Sequence, residues 1–158
     1  METKEQNEEI VEYDLFLHEG KPMLCREKKV PFTGRVDSPD MAVKIFEAVF
    51  NLSKRAEEHF VMLALDAKGS VLGAFEISHG TVDKTVLSPR EIMVRALLCG
   101  AVRMIVAHNH PSGDVTPSEE DVITSTRVKK VGELLCIPVV DSLIIGKRGT
   151  YYSLGKDW

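Results

Sequence analysis

The chain has 158 residues, 44% of them hydrophobic and 28% charged, and this size and balance predict one soluble globular domain with a single core. The formal net charge of −4 disfavours a general binder of nucleic-acid backbone, because such proteins neutralise phosphates with a basic surface. The sequence has neither an apolar run of membrane-spanning length nor a secretory leader, so we expect no membrane segment. Three widely spaced cysteines, Cys25, Cys99 and Cys136, argue against a disulfide framework or a cysteine metal site and favour the reducing cytoplasm.

The N-terminal part is the least regular in pattern. The first twelve residues are polar and acidic and are predicted to fray, and residues 13–37 are predicted to form a strand or an extended arm. Residues 38–158 contain neither an internal repeat nor a low-complexity linker. The sequence therefore predicts an N-terminal arm over 1–37, partly ordered, and one domain over 38–158.

Three segments begin with the same helix-start signal, a hydroxyl residue before proline. These are Ser38-Pro39, Ser88-Pro89 and Thr116-Pro117, and they predict helices over 39–54, 89–99 and 117–134. The last two signals also have a glutamate three residues after the hydroxyl, Glu91 and Glu119, which predicts a capping box. Gly100 suits the position just past the second helix.

Short apolar runs between these helices predict strands. The predicted strands cover 59–66, 71–77, 82–87, 103–107, 137–145 and 151–154, and a turn over 67–70 joins the first two. An alternation of this kind predicts an α/β or α+β sheet with helices packed on it.

The most informative stretch runs from His108 to Asp121, out of a predicted buried strand and into the third helix. At an extended strand end, His108 and His110 point to the same side. Ser118 and Asp121, three residues apart, share one helix face, the face that is directed at the core. An ionised aspartate there is costly unless it is paired or binds a metal. Two imidazoles and one carboxylate would leave a tetrahedral Zn²⁺ with one open position, which is the arrangement of a catalytic site.

Asp114 and Glu120 in the same stretch are the carboxylates that compete with Asp121, and three known motifs do not fit the chain. Asp114 is disfavoured because it sits in a glycine-containing turn, and Glu120 because it falls on a different helix face from Asp121. The string His108-Asn109-His110 does not indicate the nuclease motif of that name, whose residues are spread over a ββα unit. The chain contains neither HExxH nor the Pro-Cys-x-x-Cys of cytidine deaminases.

The pattern His-x-His, seven residues, Ser, two residues, Asp resembles the signature of the JAMM/MPN (JAB) metalloprotease-type domains. The fuller text His108-Asn-His-Pro-Ser-Gly-Asp114 with Pro117-Ser118 is similar to the RadC-like branch, and the likeness covers roughly residues 38–155. It extends to Gly80-Thr81, to Ser88-Pro89-Arg90-Glu91 and to the ending around Asp141. The resemblance implies a JAMM/MPN fold, which is cytidine-deaminase-like, with a mixed central sheet and helices on both sides.

The resemblance also implies roles for individual residues. His108, His110 and Asp121 would bind Zn²⁺, Glu76 would be the general acid/base, and Ser118 would stabilise the oxyanion or hold the water. Glu91 is the competing base, but its capping box already explains it. Ser142 stands where many RadC-like sequences have histidine, which puts in doubt any role of that neighbour but not the metal triad.

Two functions follow from this resemblance, and they belong to different classes. The first is zinc-dependent hydrolysis of a peptide or isopeptide bond in a protein or peptide substrate, which in some relatives is one with an extended C-terminal tail. The second is a non-catalytic protein- or DNA-associated module linked to DNA repair or mobile elements. The five motif positions favour the hydrolase, in which Asn109 and the loop at Gly113 would shape the substrate groove. The acidic balance argues against strong direct contact with DNA.

Overall fold

The computed structural model describes residues 9–80, 87–155 and 158, and within them the chain forms one mixed sheet with helices against it. The elements in chain order are β1 Glu9–His18, β2 Lys21–Pro31, α1 Pro39–Phe50, β3 Glu58–Leu65, β4 Val71–Gly80, α2 Pro89–Leu98, β5 Arg103–Asn109, α3 Glu119–Leu134, β6 Val139–Ile145 and β7 Tyr151–Ser153. None of the helices described is long and apolar enough to cross a membrane.

The seven strands lie in the order β2-β1-β4-β3-β5-β6-β7, and two of the neighbouring pairs, β1–β4 and β5–β6, are parallel. Each side of the sheet has its own apolar cluster. Phe46 and Phe50 of α1 fill one, and Ile92 of α2 and Val128 of α3 belong to the other. We call these sides the α1 face and the α2/α3 face. The predicted fold class, a mixed sheet with helices on both sides, is confirmed.

The ends of the first two helices depend on single residues with positive φ. The first helix ends at Phe50 and not at 54, because Asn51 adopts the left-handed conformation (φ 54°) and only a short 3₁₀ turn follows. The second ends as predicted around Gly100 (φ 72°), where Ala101 N–H donates to Ala96 and Gly100 N–H to Leu97. This pair of bonds is the Schellman motif, which satisfies the last carbonyls of a helix.

The predicted capping boxes are wrong in both positions. Ser88 precedes α2, but its side chain makes no capping hydrogen bond, and Glu91 contacts Arg90 and Arg95 instead. The third helix is capped by Ser118 rather than by Thr116, so it begins two residues later than predicted. Ser118 is the better cap because the residue three positions on, Asp121, returns the bond to its backbone.

The strands were largely predicted, with two differences. The predicted strand 82–87 lies outside the described residues except for Leu87, which is not in a strand. The segment predicted as a strand or an extended arm contains two strands, the hairpin β1–β2, which begins at Glu9 among the residues predicted to fray and joins the sheet beside β4. Tyr13 of this hairpin stacks on Phe75, with its ring close above Gly73.

Gly132, buried in α3, lies where this helix closely approaches Met104 of β5 and the chain that leads into β6. A Cβ there would lie 2.6 Å from the carbonyl oxygen of Ile137 and 3.1 Å from Met104. We therefore expect Gly132→Ala to lower the free energy of unfolding by about 1–3 kcal/mol through overpacking. The exposed neighbour Glu133→Ala should change it by less than about 0.5 kcal/mol. Urea unfolding followed by circular dichroism measures both, and equal effects would contradict the close approach.

Candidate metal centre

Strand β5 delivers the two histidines to one side of the sheet edge. His108 is the penultimate residue of the strand, and its ring stacks on Phe60 of β3 with centroids 6.1 Å apart and planes 6° from parallel. The chain continues extended beyond Asn109, because His110 N–H donates to the carbonyl of Ile145 in β6 at 2.9 Å. Alternation along this extended backbone puts both imidazoles on the α2/α3 face.

The start of α3 delivers the carboxylate. Ser118 Oγ accepts from the backbone N–H of Asp121 at 3.1 Å, and Asp121 Oδ2 accepts from the backbone N–H of Ser118 at 2.8 Å. This reciprocal pair fixes the side chain of Asp121 over the first turn and aims it at the histidines. The capping box therefore explains locally why the aspartate follows the serine at a spacing of three.

The three side chains converge as the sequence predicts. His108 Nε2 lies 3.1 Å from His110 Nε2 and 3.1 Å from Asp121 Oδ1, and His110 Nε2 lies 3.3 Å from Asp121 Oδ2. A tetrahedral zinc ion with bonds of about 2.0–2.1 Å holds its ligand atoms about 3.4 Å apart. Small shifts of the side chains would therefore suffice for all three to share one ion.

The chemistry of the donor atoms also fits a cation. His110 Nδ1 lies 2.7 Å from the carbonyl oxygen of Asp114, a contact that requires a proton on that nitrogen. The neutral ring then presents a bare lone pair at Nε2, directed towards His108 Nε2 and the carboxylate of Asp121. Lone pairs and negative charge repel at this separation unless a proton or a metal ion lies between them. Two imidazoles and one carboxylate are a donor set that zinc and other divalent transition metals accept.

The carboxylate of Asp121 is poised to be ionised. Burial raises its pKa, but hydrogen bonds from His108 and from the backbone of Ser118, together with the charge of His108, outweigh burial and hold the pKa well below its usual range. An ionised carboxylate is the form that binds a metal. Asp121 is therefore ready to bind a metal ion without first losing a proton.

The two competing carboxylates, Asp114 and Glu120, do not join the triad. Asp114 uses Oδ1 to accept from the backbone N–H of Thr116, and hydrogen bonds from Thr116 lower its pKa. Only its backbone carbonyl reaches the site, where it orients His110. Glu120 is exposed at the start of α3, on a different face from Asp121, although it also lines the cleft in front of the site.

A cleft of about 940 Å³ opens in front of the triad. Glu58 and Phe60 of β3, Ser118 at the start of α3 and Ser142 of β6 are among its lining residues. Its volume is that of a site for a small molecule or for a few residues of a peptide.

Three further sequence-predicted residues have clear positions. Ser118 lines the cleft, and its hydroxyl accepts one hydrogen bond while keeping its own proton to donate. Ser142, in the position where the resemblance leads one to expect histidine, is 5% exposed and lines the cleft, so the smaller residue leaves more room there. Asn109 does not shape the groove: it is buried, accepting from His59 N–H and donating to the carbonyl of Glu57.

The structure does not bring Glu76 to the triad. Glu76 pairs with Val61, which belongs to the core on the α1 face, whereas His108 pairs with Phe60, which packs on the α2/α3 face. Paired residues of neighbouring strands share a face, so the register directs Glu76 away from His108. The two carboxylate oxygens of Glu76 instead contact His59 and His79.

Sequence reasoning missed Glu58, the first residue of β3. Because Phe60 pairs with His108, Glu58 lies two residues along on the same face, beside the position of His110. It is half-buried and lines the cleft, and its carboxylate has neither a hydrogen bond nor an ion pair with a described residue. Only the pairing register between β3 and β5 reveals this position.

The fold and the site together define the class of protein. It is a mixed α/β domain in which two histidines from a strand end and an aspartate from a helix start form a candidate metal site. The family model of the RadC-like JAB domain matches residues 36–157 of the chain. The chain belongs to this family.

Curated relatives extend beyond the part that this chain matches. UPF0758 protein SH1266 of Staphylococcus haemolyticus is 49% identical over 140 residues, which cover 87% of this chain and 58% of that protein. UPF0758 protein tlr1707 of Thermosynechococcus vestitus is 41% identical over 119 residues, 75% of this chain and 46% of the relative. A UPF0758 protein of Thermotoga maritima is 36% identical over 118 residues, 75% of this chain and 53% of the relative. The chain thus spans about half the length of the curated relatives it matches.

Proposed function

We propose that this chain is a zinc-dependent hydrolase of the JAMM type that cleaves a peptide or isopeptide bond in a protein or peptide substrate. The observation that carries the proposal is the convergence of His108, His110 and Asp121 at 3.1–3.3 Å in the wall of an open cleft. Three protein ligands leave an ion one position for water, which is the arrangement of catalytic rather than structural zinc.

Each part of the site has a task in such a reaction. A zinc ion held by the triad would act as a Lewis acid and lower the pKa of water towards about 7. The hydroxyl of Ser118 donates a hydrogen bond to the oxyanion that forms at the substrate carbonyl, or holds the attacking water. The Asp114 carbonyl holds His110 in the tautomer that leaves Nε2 free to be a ligand.

Two carboxylates are the candidates for the general base, because Glu91, which also lines the cleft, is paired with Arg90 and Arg95. The family resemblance predicts Glu76, and the strand register favours Glu58, whose unpaired carboxylate shares the cleft with the triad. The base accepts a proton from the attacking water and later returns it to the leaving amine. We propose Glu58 for this role, because Glu76 is directed to the other face and is held between two imidazoles.

Matched substitutions decide between the two carboxylates. We expect Glu58→Gln to lower cleavage of a quenched fluorescent isopeptide-linked peptide by about 10²–10⁴-fold, the usual contribution of a general base, while the zinc content is unchanged. The same change at Glu76 should have an effect of less than about tenfold, because its amide would still lie away from the reacting atoms. Cleavage rates and zinc per chain are measured on the same preparations.

The reverse result, loss of cleavage in Glu76→Gln alone, would return the role to the residue that the family resemblance predicts. If both variants cleave at the wild-type rate, neither carboxylate is the base. If zinc-loaded wild-type protein cleaves neither peptide nor isopeptide reporters, that result favours the non-catalytic module over the hydrolase.

A further inference from the structure

A second group of metal-ligating side chains lies where strands β3 and β4 end side by side. It consists of His59, Glu76 and His79, and one ligand atom from each lies within 4.8 Å of the other two. His59 pairs with His79 across the two strands, and Glu76 pairs with Val61. The register therefore puts the group on the α1 face, whereas His108 lies on the α2/α3 face, and at the strand ends His59 and His79 still line the cleft that opens in front of the triad.

We propose that His59, Glu76 and His79 form a second binding site for a divalent transition metal of the zinc class. The site is separate from the catalytic centre proposed above and uses none of its ligands. The carboxylate that the family resemblance predicts as the base is, in this arrangement, a ligand of the second ion.

The distances carry the proposal. Glu76 Oε2 lies 3.2 Å from His59 Nδ1, and Glu76 Oε1 lies 2.7 Å from His79 Nδ1. The first separation is close to the 3.4 Å or so expected between ligands of one tetrahedral ion, and the second requires a shift of less than about 1 Å. The two imidazole rings are stacked, with centroids 5.3 Å apart and planes 18° from parallel, so both present Nδ1 to the same carboxylate.

Burial differs among the three ligands in a way that suits reversible binding. The His59 side chain is 10% exposed, and its backbone N–H is tied to Asn109, so this ligand is fixed in place. The His79 side chain is 61% exposed and is free to make the small adjustment. Glu76, at 30%, lies between them, and water can fill a fourth position from the open side.

The surroundings add negative charge on the same face. Glu12 of β1 pairs with Ala74, two residues before Glu76 along β4. Burial raises the pKa of Glu12, Lys28 lowers it and the charge of Glu76 raises it. The two carboxylates are therefore close enough to repel each other, and a cation at Glu76 relieves that repulsion.

The donor set selects the class of ion. Two imidazoles and a carboxylate suit zinc, copper, nickel or iron, whereas calcium and magnesium prefer oxygen ligands alone. A bound ion would join the ends of β3 and β4 beside the cleft, which His59 and His79 also line. Its effect should therefore appear in the stability of these strand ends and not only in catalysis.

The test is metal stoichiometry of the full chain, stripped with chelator, dialysed against zinc alone and measured by inductively coupled plasma mass spectrometry. Wild type should hold two ions per chain, His79→Ala one, His110→Ala one, and the double variant none. Zinc titration of His110→Ala should show one remaining site. Adding His79→Ala should weaken zinc binding at that site at least about tenfold, since loss of even a residue that merely supports a ligand costs about 10–100-fold. In His110→Ala, zinc should also raise the unfolding temperature, and in the double variant it should not.

His18→Ala is the matched control, because His18 is an exposed strand histidine outside both groups, and it should retain two ions. Circular dichroism checks that His79→Ala is folded, which its exposure predicts. One ion in wild type, lost in His110→Ala and kept in His79→Ala, would overturn the second site while leaving the catalytic centre in place. Two ions in wild type with both retained in His79→Ala would overturn it equally.

Discussion

Asp121→Ala is expected to abolish zinc binding at the His108–His110 centre and, with it, any hydrolysis. The substitution removes the only charged ligand of the three. Loss of even a residue that merely supports a ligand costs about 10–100-fold in metal affinity, so we expect zinc affinity at this centre to fall at least about 100-fold. It also removes the acceptor of the Ser118 N–H and so costs the helix start about 1 kcal/mol. Zinc titration and urea unfolding measure the two effects separately.

Two companion variants separate ligation from capping. Asp121→Asn keeps an oxygen that can accept from Ser118 N–H but loses the charge, so it should retain stability and still lose most of the zinc affinity. Ser118→Ala removes the other half of the capping box and keeps all three ligands, so it should lose stability and keep zinc. Equal zinc affinity in Asp121→Asn and wild type would show that the carboxylate is a cap and no more.

Asp141→Ala is expected to have the largest effect on stability. Asp141 is 1% exposed, and its carboxylate accepts four hydrogen bonds, from Ser142 N–H, the Ser153 hydroxyl, Gly155 N–H and Trp158 Nε1–H. Alanine would leave several of these donors without a partner, at about 1–3 kcal/mol for each one that stays buried. We expect a loss of at least about 3 kcal/mol in the free energy of unfolding.

Tryptophan fluorescence provides a second measurement on the Asp141 variants, because all of the signal comes from Trp158, the chain's single tryptophan. Its indole lies 2.8 Å from Asp141 Oδ2, so loss of the carboxylate should shift its fluorescence emission to the red. Asp141→Asn, which keeps one acceptor oxygen, should fall between alanine and wild type in both measurements. A variant as stable as wild type would mean that these four bonds contribute little.

Sequence alone predicted the convergence of the triad because each part depends on local geometry. His108 and His110 share a side through strand alternation, and Asp121 reaches them through the first helical turn. The order of strands and helices was enough to predict a mixed sheet with helices on both sides. None of these inferences needs to know which strand is hydrogen-bonded to which.

The direction of Glu76 could not be predicted in the same way, because it depends on pairing between strands. The register of β4 against β3 shifts twice, between Phe60 and Val61 and between Ala64 and Leu65. A shift of one residue moves a side chain to the other face, and no pattern within β4 reveals such a shift. The position of Glu58 also depends on pairing between strands, here of β3 with β5. In the sequence alone it is an ordinary charged residue at the start of a strand.

The N-terminal hairpin was predicted only in part, as a strand or an extended arm, for a different reason. Most residues of β1 and β2 are exposed or half-buried, and Ile10 is the one that is fully buried. Without a buried face these strands lack the regular alternation that predicts a sheet. The start of α3 was predicted two residues too early because hydroxyl residues are close together at 116 and 118, and the choice between them depends on the bond returned by Asp121.

The N-terminal hairpin extends the sheet on one side only, beside β4. The match to the RadC-like JAB family model begins at residue 36, so the strands at residues 9–31 lie before that match, and β1 pairs with the flank of β4. Tyr13 seats over Gly73, where a larger residue would collide with its ring. A chain that starts after the hairpin would therefore expose the unpaired backbone amides and carbonyls of β4. This exposed edge could pair with strands of other chains, and we expect such a chain to self-associate there. Residues 9–31 therefore protect this side of the sheet from pairing with other chains.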